Sequence, residues 1–452
     1  MSVATSPDQV TPPRLKRVLS LWDLIFYGIV CVTPIAPLPL FGITQKLSSG
    51  HAVTTIVLAM AAMLPTAASY GRMAAIYPTA GSAYTYVGRG LNPHLGFLAG
   101  WAMFLDYLLI PLINVIFGAV TLHRLIPSVP YAVWAALFAM AITGLNLRGI
   151  RSTARANQLL LLLMSLVLVA FAVAAVRYLL GHQDWAGLFS TQPFYNPATF
   201  NFAAIRTATS FAALTYIGFD SVTTLAEEVH DPKKNVMRAA VTVCLFTGLV
   251  GGLVVYLGQL VWPGWLDFPN LETSFMDVTR RVGGPLLFHA MGATFLLAVF
   301  GSALTGQAGA ARLLFSMGRE NALPRSLFAR VNAEGGVPAW NITFIGIITF
   351  AGALIFGYEQ AAEVLNFGAF LAFMGVNLAS VKHIWQNARG ARALASAALP
   401  ALGFLFCLWI WISLPMPAKL IGGAWLAVGL IHAAITSRGF RRPPVALDFT
   451  EQ

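Results

Sequence analysis

Asp106 stands inside an apolar run, Phe104-Leu105-Asp106-Tyr107-Leu108-Leu109-Ile110-Pro111-Leu112-Ile113-Asn114. A carboxylate in such a setting is costly to bury and marks a functional position by default. Two roles are open. Asp106 can meet a positively charged group or a proton, or it can accept bonds from the free N–H groups of a broken helix. Tyr107 and Asn114 share a helix face by spacing, with Asp106 about 100° around from Tyr107.

Two further stretches interrupt apolar runs. The first is Thr33-Pro34-Ile35-Ala36-Pro37-Leu38-Pro39. Each proline lacks an N–H, and its ring clashes with the carbonyl four residues earlier, so a regular helix cannot continue through all three. Lipid cannot satisfy the freed carbonyls. Broken backbone at that depth persists only where it is buried in protein or lines a wet cavity. The second stretch is Tyr216-Ile217-Gly218-Phe219-Asp220-Ser221-Val222-Thr223-Thr224. If a half-helix begins there, Asp220 is expected to cap it, with direct substrate contact as the alternative. Tyr216 and Phe219 can wall a pocket or pack a bundle. The candidate substrate-binding set is therefore Thr33, Pro34, Ile35, Ala36, Pro37, Asp106, Tyr107, Asn114, Tyr216, Gly218, Phe219, Asp220 and Ser221.

Coupling or gate candidates are Glu227, Ser302 and Thr305. Glu227 reads equally as a proton relay or as a solvated helix end. The two hydroxyls can supply oxygens to a cation, and small hydroxyl residues also let helices pack closely, which is the favoured reading. The histidines form no HExxH, and no Walker or GxSxG motif occurs, so neither zinc chemistry, ATP hydrolysis nor acyl transfer is signalled. No cofactor, metal or enzymatic activity is expected.

The elements that must position these residues are membrane spans. The chain of 452 residues is 58% hydrophobic and 10% charged, with mean hydropathy +0.73. A soluble domain carries about 25% charge. The net charge of +11 is scattered in short clusters, with no basic face for a nucleic acid. Cys31, Cys244 and Cys407 all fall in apolar segments and read as buried small hydrophobes. Residues 1–20 are polar with no apolar core of their own, so a cytoplasmic tail and no cleaved leader is expected. Residues 21–436 are expected to form the transmembrane domain and 437–452 a second cytoplasmic tail. Within that domain lie about twelve apolar segments, the first at 21–44, the third at 95–120, the sixth at 202–226 and the eighth at 285–317. With the N-terminus inside, 21 of the 28 Lys and Arg residues fall on the cytoplasmic side and 6 on the other, the asymmetry that sets membrane orientation. Interrupted segments one and six are five apart. Two breaks in corresponding positions point to inverted repeats of five spans with the site between them.

Several stretches resemble the amino acid–polyamine–organocation superfamily of permeases. Tyr77-Pro78-Thr79-Ala80-Gly81-Ser82-Ala83-Tyr84-Thr85-Tyr86 is similar to its P-x-x-G-[GS]-x-Y-x-Y loop. Gly218-Phe219-Asp220 with Glu227-Glu228-Val229-His230-Asp231-Pro232 resembles its G-F-D…E-E-x-x-[ND]-P stretch, and Arg312 through Pro324, then Val337-Pro338, its R-L-L-[FY]-x-M-x-R-[DE]…L-P…[VT]-P signature. Asn366-Phe367-Gly368-Ala369-Phe370 fits the tenth helix. Bacterial putrescine importers look nearest, through Leu105-Asp106-Tyr107-Leu108…Pro111-Leu112-Ile113-Asn114-Val115 and Gly218 to Leu225.

The resemblance implies an all-α integral membrane fold of twelve helices. These form a LeuT-like five-plus-five inverted repeat with discontinuous helices 1 and 6 and two extra C-terminal helices. It also implies import coupled to protons or exchange, with sodium a further possibility, and a site between helices one, three, six and eight. The expected setting is a bacterial inner membrane with both termini cytoplasmic, membrane lipid around it and no nucleic acid partner. Two departures stand out. Amino acid permeases usually carry a Gly-Ser/Ala-Gly run at the first break, whose N–H groups bind the substrate carboxylate; here stand Pro34, Pro37 and Pro39. Putrescine importers carry an Asp before Thr-Phe-Gly in this helix, and here that place is Pro39. Met164 stands near the place of a fifth-helix lysine used by some proton-coupled relatives. The expected function is secondary-active import of amino acids or polyamines by alternating access, an amine-bearing solute favoured. The alternatives are a permease for a different small organic solute such as a carboxylate, or a non-transporting membrane sensor with the same fold.

Overall fold

The computed structural model describes residues 19–78, 82–149, 154–226, 228–319, 324–331 and 337–441. Most of both expected tails lies outside them, as do 79–81 and 320–323 of the family motifs. Among the described residues the chain is helical, with a single isolated bridge pairing Leu19 with Val229.

Helix α1 (Leu21–Val32) opens on a capping box. Ser20 Oγ accepts the Asp23 N–H at 3.3 Å, and the Asp23 carboxylate accepts the Ser20 N–H at 2.8 Å, so two orphan donors are satisfied together. The helix stops because Thr33 precedes Pro34. Thr33 takes φ 65°, a left-handed value that a β-branched residue adopts only when its surroundings impose it. Helix α2 (Phe41–Leu47) resumes after the three prolines.

The order continues with α3 (Ala52–Ile76), α4 (Ser82–Gly90), α5 (Pro93–Leu125), α6 (Tyr131–Leu147), α7 (Ala154–His182), α8 (Phe202–Ala212), α9 (Ser221–Thr224), α10 (Pro232–Val261), α11 (Ser274–Arg319), α12 (Arg325–Phe328), α13 (Ala339–Ile355), α14 (Tyr358–Asn387), α15 (Gly390–Ser413) and α16 (Met416–Thr436). Eight of the described helices are long and apolar enough to cross a membrane, and three shorter ones are also apolar. A 3₁₀ turn at Ala213–Tyr216 and a bend at Gly218, φ +105°, separate α8 from α9. The eighth apolar segment begins earlier than its hydropathy alone suggests. Helix α11 starts at Ser274 and is interrupted at Gly284, φ 63° and ψ −159°, immediately before Pro285.

Burial distinguishes centre from rim. In α14, 78% of the most apolar window is buried, against 33% in α15 and 22% in α7 and α16. Helix α7 instead exposes Leu159, Leu162, Leu166, Val169 and Val173, an apolar stripe at helical spacing that water would not tolerate and lipid would. Two large apolar clusters occupy opposite ends of the bundle. One holds Phe41, Phe117, Phe171, Phe275 and Phe295; the other holds Tyr70, Tyr86, Phe219, Phe370 and Phe373. Ile217, in the broken segment, packs against both.

Candidate functional site

A cavity of about 320 Å³ is lined by the end of α1, the first break, α5, α7, the second break and α11. Helix α5 contributes Met103, Asp106, Tyr107 and Ile110, which share one face by their 3- and 4-residue spacing. Helix α11 contributes the small positions Ala298, Gly301, Ser302, Thr305 and Gly306. They leave room where larger side chains would fill it.

The breaks deliver the polar groups. Thr33 and Pro34 line the cavity from the first, and Gly218, Asp220 and Ser221 from the second. Gly218 takes φ +105°, which disfavours any side chain, and it lies against the last turn of α1, where an added Cβ would be in ordinary contact with the Cys31 carbonyl oxygen at 3.4 Å.

Asp106 and Asp220 are the carboxylates of the lining, and among the described residues no Lys, Arg or His lines it. Asp106 is 8% exposed, and its Oδ1 is buried with no hydrogen-bond partner among the described residues. The expectation that Asp220 caps a half-helix is not met. Its side chain makes no capping bond to α9; instead its backbone carbonyl accepts the Thr223 N–H at 2.9 Å and the Thr223 hydroxyl at 2.7 Å. The α9 turn is thus closed by a threonine, which leaves the Asp220 carboxylate to the cavity. Two carboxylates without a neutralising cation are a costly arrangement in a low-dielectric site. A cationic ligand would offset that cost.

Several of the backbone donors in the breaks are already engaged. The N–H groups of Ala36 and Leu38 donate to Thr33 O at 3.2 Å and Ile35 O at 2.9 Å. Those of Ile217, Phe219 and Ser221 donate to Leu214, Tyr216 and Gly218 carbonyls at 3.1–3.3 Å. A nest of free amides for a substrate carboxylate is therefore depleted on both sides. Of the hydroxyls, Ser221 Oγ donates to Gly218 O at 2.6 Å, and Thr305 Oγ1 to Gly301 O at 3.0 Å.

Several candidates stand outside the lining. Ile35 is 2% exposed in the apolar core, and Ala36 packs beside the second cluster. Pro37 abuts Gly251 of α10. Asn114 sits behind the wall, where its Nδ2 donates to Ile110 O at 2.7 Å and to Ser302 Oγ at 3.0 Å. Tyr216 donates its hydroxyl to Ile56 O at 2.9 Å. Phe219 packs edge-on against Tyr70 with ring centroids 5.5 Å apart. Glu227 lies outside the described residues.

The cavity also takes residues that the sequence does not flag, among them Tyr27, Ser82, Met103, Leu160 and Leu161. Spacing from Asp106 could have found Met103 and Ile110; an apolar wall from α7 carries no such signal. Met164, at the place of the family lysine, does line the cavity. Cys31 corrects an expectation. It is exposed and lines the cavity, whereas Cys244 and Cys407 are buried. Among the described residues, no group of three or more His, Cys, Asp or Glu is placed to hold a metal ion.

Residues 38–427 match the family model for amino acid permeases. The chain belongs to the amino acid permease family. This permease is 32% identical to the low-affinity putrescine importer PlaP of Escherichia coli (strain K12), over 95% of its own length and 96% of the importer's. It is 26% identical to the branched-chain amino acid permease BcaP of Bacillus subtilis (strain 168), and 27% identical to the methylthioribose transporter of the same organism, each over 94% of both chains. The permease is thus a multi-pass membrane transporter and not an enzyme. Relatives of similar length carry names with chemically unlike solutes, so the choice of solute has to be read from the cavity itself.

Proposed function

We propose that this permease carries a small amine-bearing cation, with a diamine of the putrescine class ranked first. The observation that carries the reading is the pair Asp106 and Asp220 in a 320 Å³ cavity with no basic residue in its lining among the described residues. That volume is at the small end of ligand sites, which run roughly 300–1,000 Å³. Each ammonium can meet one carboxylate, with the Ser221 and Ser302 oxygens and the carbonyls of the breaks as further acceptors. Asp220 thereby supplies the second counter-charge that Pro39 removes from the first helix. An α-amino acid ranks second, because its carboxylate finds few free amides at either break. A non-transporting sensor ranks below both.

The transport reading has a definite geometry. Segments one and six are taken as discontinuous spans within a twelve-helix, five-plus-five inverted repeat, in a bacterial inner membrane with both termini cytoplasmic. Tyr27 and Leu160 come from the helix halves that the charge asymmetry assigns to the cytoplasmic side. The aromatic group Phe41, Phe171 and Phe275, with centroids 4.8 and 5.3 Å apart in successive pairs, closes the opposite end. Both features support an inward-facing state of an alternating-access cycle. Coupling to protons or by exchange goes with this reading, and sodium coupling is the alternative, for which the Ser302 and Thr305 hydroxyls are the available oxygens.

Uptake of labelled putrescine by the reconstituted protein, with a diamine, the matching amino acid and a branched-chain amino acid as competitors, tests it. Inhibition by the diamine first is the expected order. Strong inhibition by the amino acid with none by the diamine would reverse the ranking, and absence of uptake for every solute would favour the sensor.

A further inference from the structure

A second concavity shares no lining residue with the carboxylate cavity and has the opposite electrostatic character. The end of α3, the start of α10, the end of α14 and the start of α15 enclose an open pocket of about 700 Å³. Its polar lining is Arg72, Lys233, His383, Asn387 and Ser396, and among the described residues no acid lines it. All four helices are long and apolar enough to span a membrane, and the residues sit in their end turns. That is headgroup depth, where basic pockets between spans take up anionic lipid headgroups.

The cations are available. Arg72 is half-buried and donates to Ser380 Oγ at 3.3 Å, which aims the guanidinium without neutralising it. The nearby Asp231 pairs with Lys234 at 3.7 Å, so the acid is turned to the neighbouring lysine. Asn387 donates Nδ2 to His383 O at 2.8 Å, which holds the end turn of α14 beside the pocket. Guanidinium and ammonium groups together match phosphate oxygens. The remaining wall is apolar, including Ala75, Ile76, Pro78 and Ile384. A free phosphate has no use for such a wall. A glycerol backbone and the first methylenes of an acyl chain do.

We propose that this pocket binds the phosphate of an anionic membrane phospholipid, with Arg72 and Lys233 as the charge partners and Ile76 and Ile384 against the lipid's apolar part. The proposal needs only that these helices span a membrane. It stands or falls separately from the choice of transported solute.

The test uses the full-length permease in a neutral detergent and reads the unfolding midpoint by intrinsic tryptophan fluorescence. Phosphatidylglycerol, phosphatidylcholine and inorganic phosphate are titrated in turn. A ligand that binds the folded state raises the midpoint with its occupancy. Phosphatidylglycerol is expected to raise it saturably, with phosphatidylcholine and inorganic phosphate giving little. Lys233 is exposed and His383 half-buried near a helix end, and the ligand-free midpoint of each variant, Lys233→Gln and His383→Gln, reports any loss of fold. Lys233→Gln should raise the half-saturating phosphatidylglycerol concentration at least threefold, and the double variant further. Lys382→Gln removes the same charge from an exposed side chain beside His383, outside the lining, and should leave the titration unchanged. Equal shifts from the two lipids would overturn the proposal, as would equal weakening by Lys233→Gln and Lys382→Gln, which is the mark of diffuse surface attraction. A shift reproduced by inorganic phosphate alone would overturn the lipid assignment in favour of a soluble phosphate-bearing anion.

Discussion

Neutralising either cavity carboxylate should convert a diamine site into a monoamine site. Asp106→Asn and Asp220→Asn keep the side-chain shape and remove the charge. The magnitude follows from the setting. Unit charges about 4 Å apart attract by about 4 kcal/mol at an effective dielectric constant near 20. Truncating one partner of a buried charge pair costs roughly 2–5 kcal/mol. Taking about 2–4 kcal/mol, and about 1.4 kcal/mol per tenfold, each single variant should bind a diamine some 30- to several-hundred-fold more weakly. A monoamine needs only one carboxylate. The diamine-over-monoamine preference of the wild type should therefore collapse toward unity in both variants. The double variant should lose less than the sum, because the two groups share one ligand and repel each other when it is absent. Equilibrium binding of labelled putrescine, with butylamine as competitor, measures this directly. The same variants separate recognition from architecture. Asp106 Oδ1 has no hydrogen-bond partner among the described residues, so replacing the carboxylate with an amide should leave the ligand-free unfolding midpoint unchanged or raise it. Wild-type diamine affinity in both variants, together with a lowered ligand-free midpoint for Asp106→Asn, would refute the reasoning and make Asp106 a structural acceptor.

Three further outcomes follow from particular contacts. Cys31 is exposed in the cavity while Cys244 and Cys407 are 0% exposed, so a small aqueous thiol reagent should modify Cys31 alone and putrescine should slow it; intact-mass spectrometry reports both, and labelling of all three or none would contradict the assigned burial. Tyr216→Phe removes the hydroxyl that donates to Ile56 O at 2.9 Å, and should cost about 0.5–1.5 kcal/mol of stability with no change in the diamine-to-amino-acid ratio, whereas a changed ratio would place Tyr216 in the site. Arg124 pairs at 2.5 Å with Asp277, whose side chain is 7% exposed; Arg124→Gln should destabilise by roughly 3–5 kcal/mol through the unpaired carboxylate, and adding Asp277→Asn should recover most of it in a thermal unfolding assay.

The sequence by itself determined the membrane class, the helical architecture and the family. Those follow from long apolar runs, sparse charge and motifs that span most of the chain, all of which are local properties. It also located both backbone interruptions. Proline without an N–H at positions 34, 37 and 39, and glycine at 218, limit the helix whatever surrounds them. What the chain could not disclose was which face each side chain takes. The break residues Thr33 and Pro34 turn into the cavity while Ile35 and Pro37 turn away, because the break has no helical period from which to extrapolate. Asn114 shares a face with Tyr107 yet ends behind Ser302. Asp220 reads locally as a cap, and only the folded turn shows Thr223 closing α9, which frees the carboxylate to stand with Asp106 more than a hundred residues away. The α7 wall, Leu160, Leu161 and Met164, is apolar like every lipid-facing residue beside it. Hydrophobicity alone cannot distinguish a side chain that meets lipid from one that meets a substrate. That distinction is made by the packing of one helix on another.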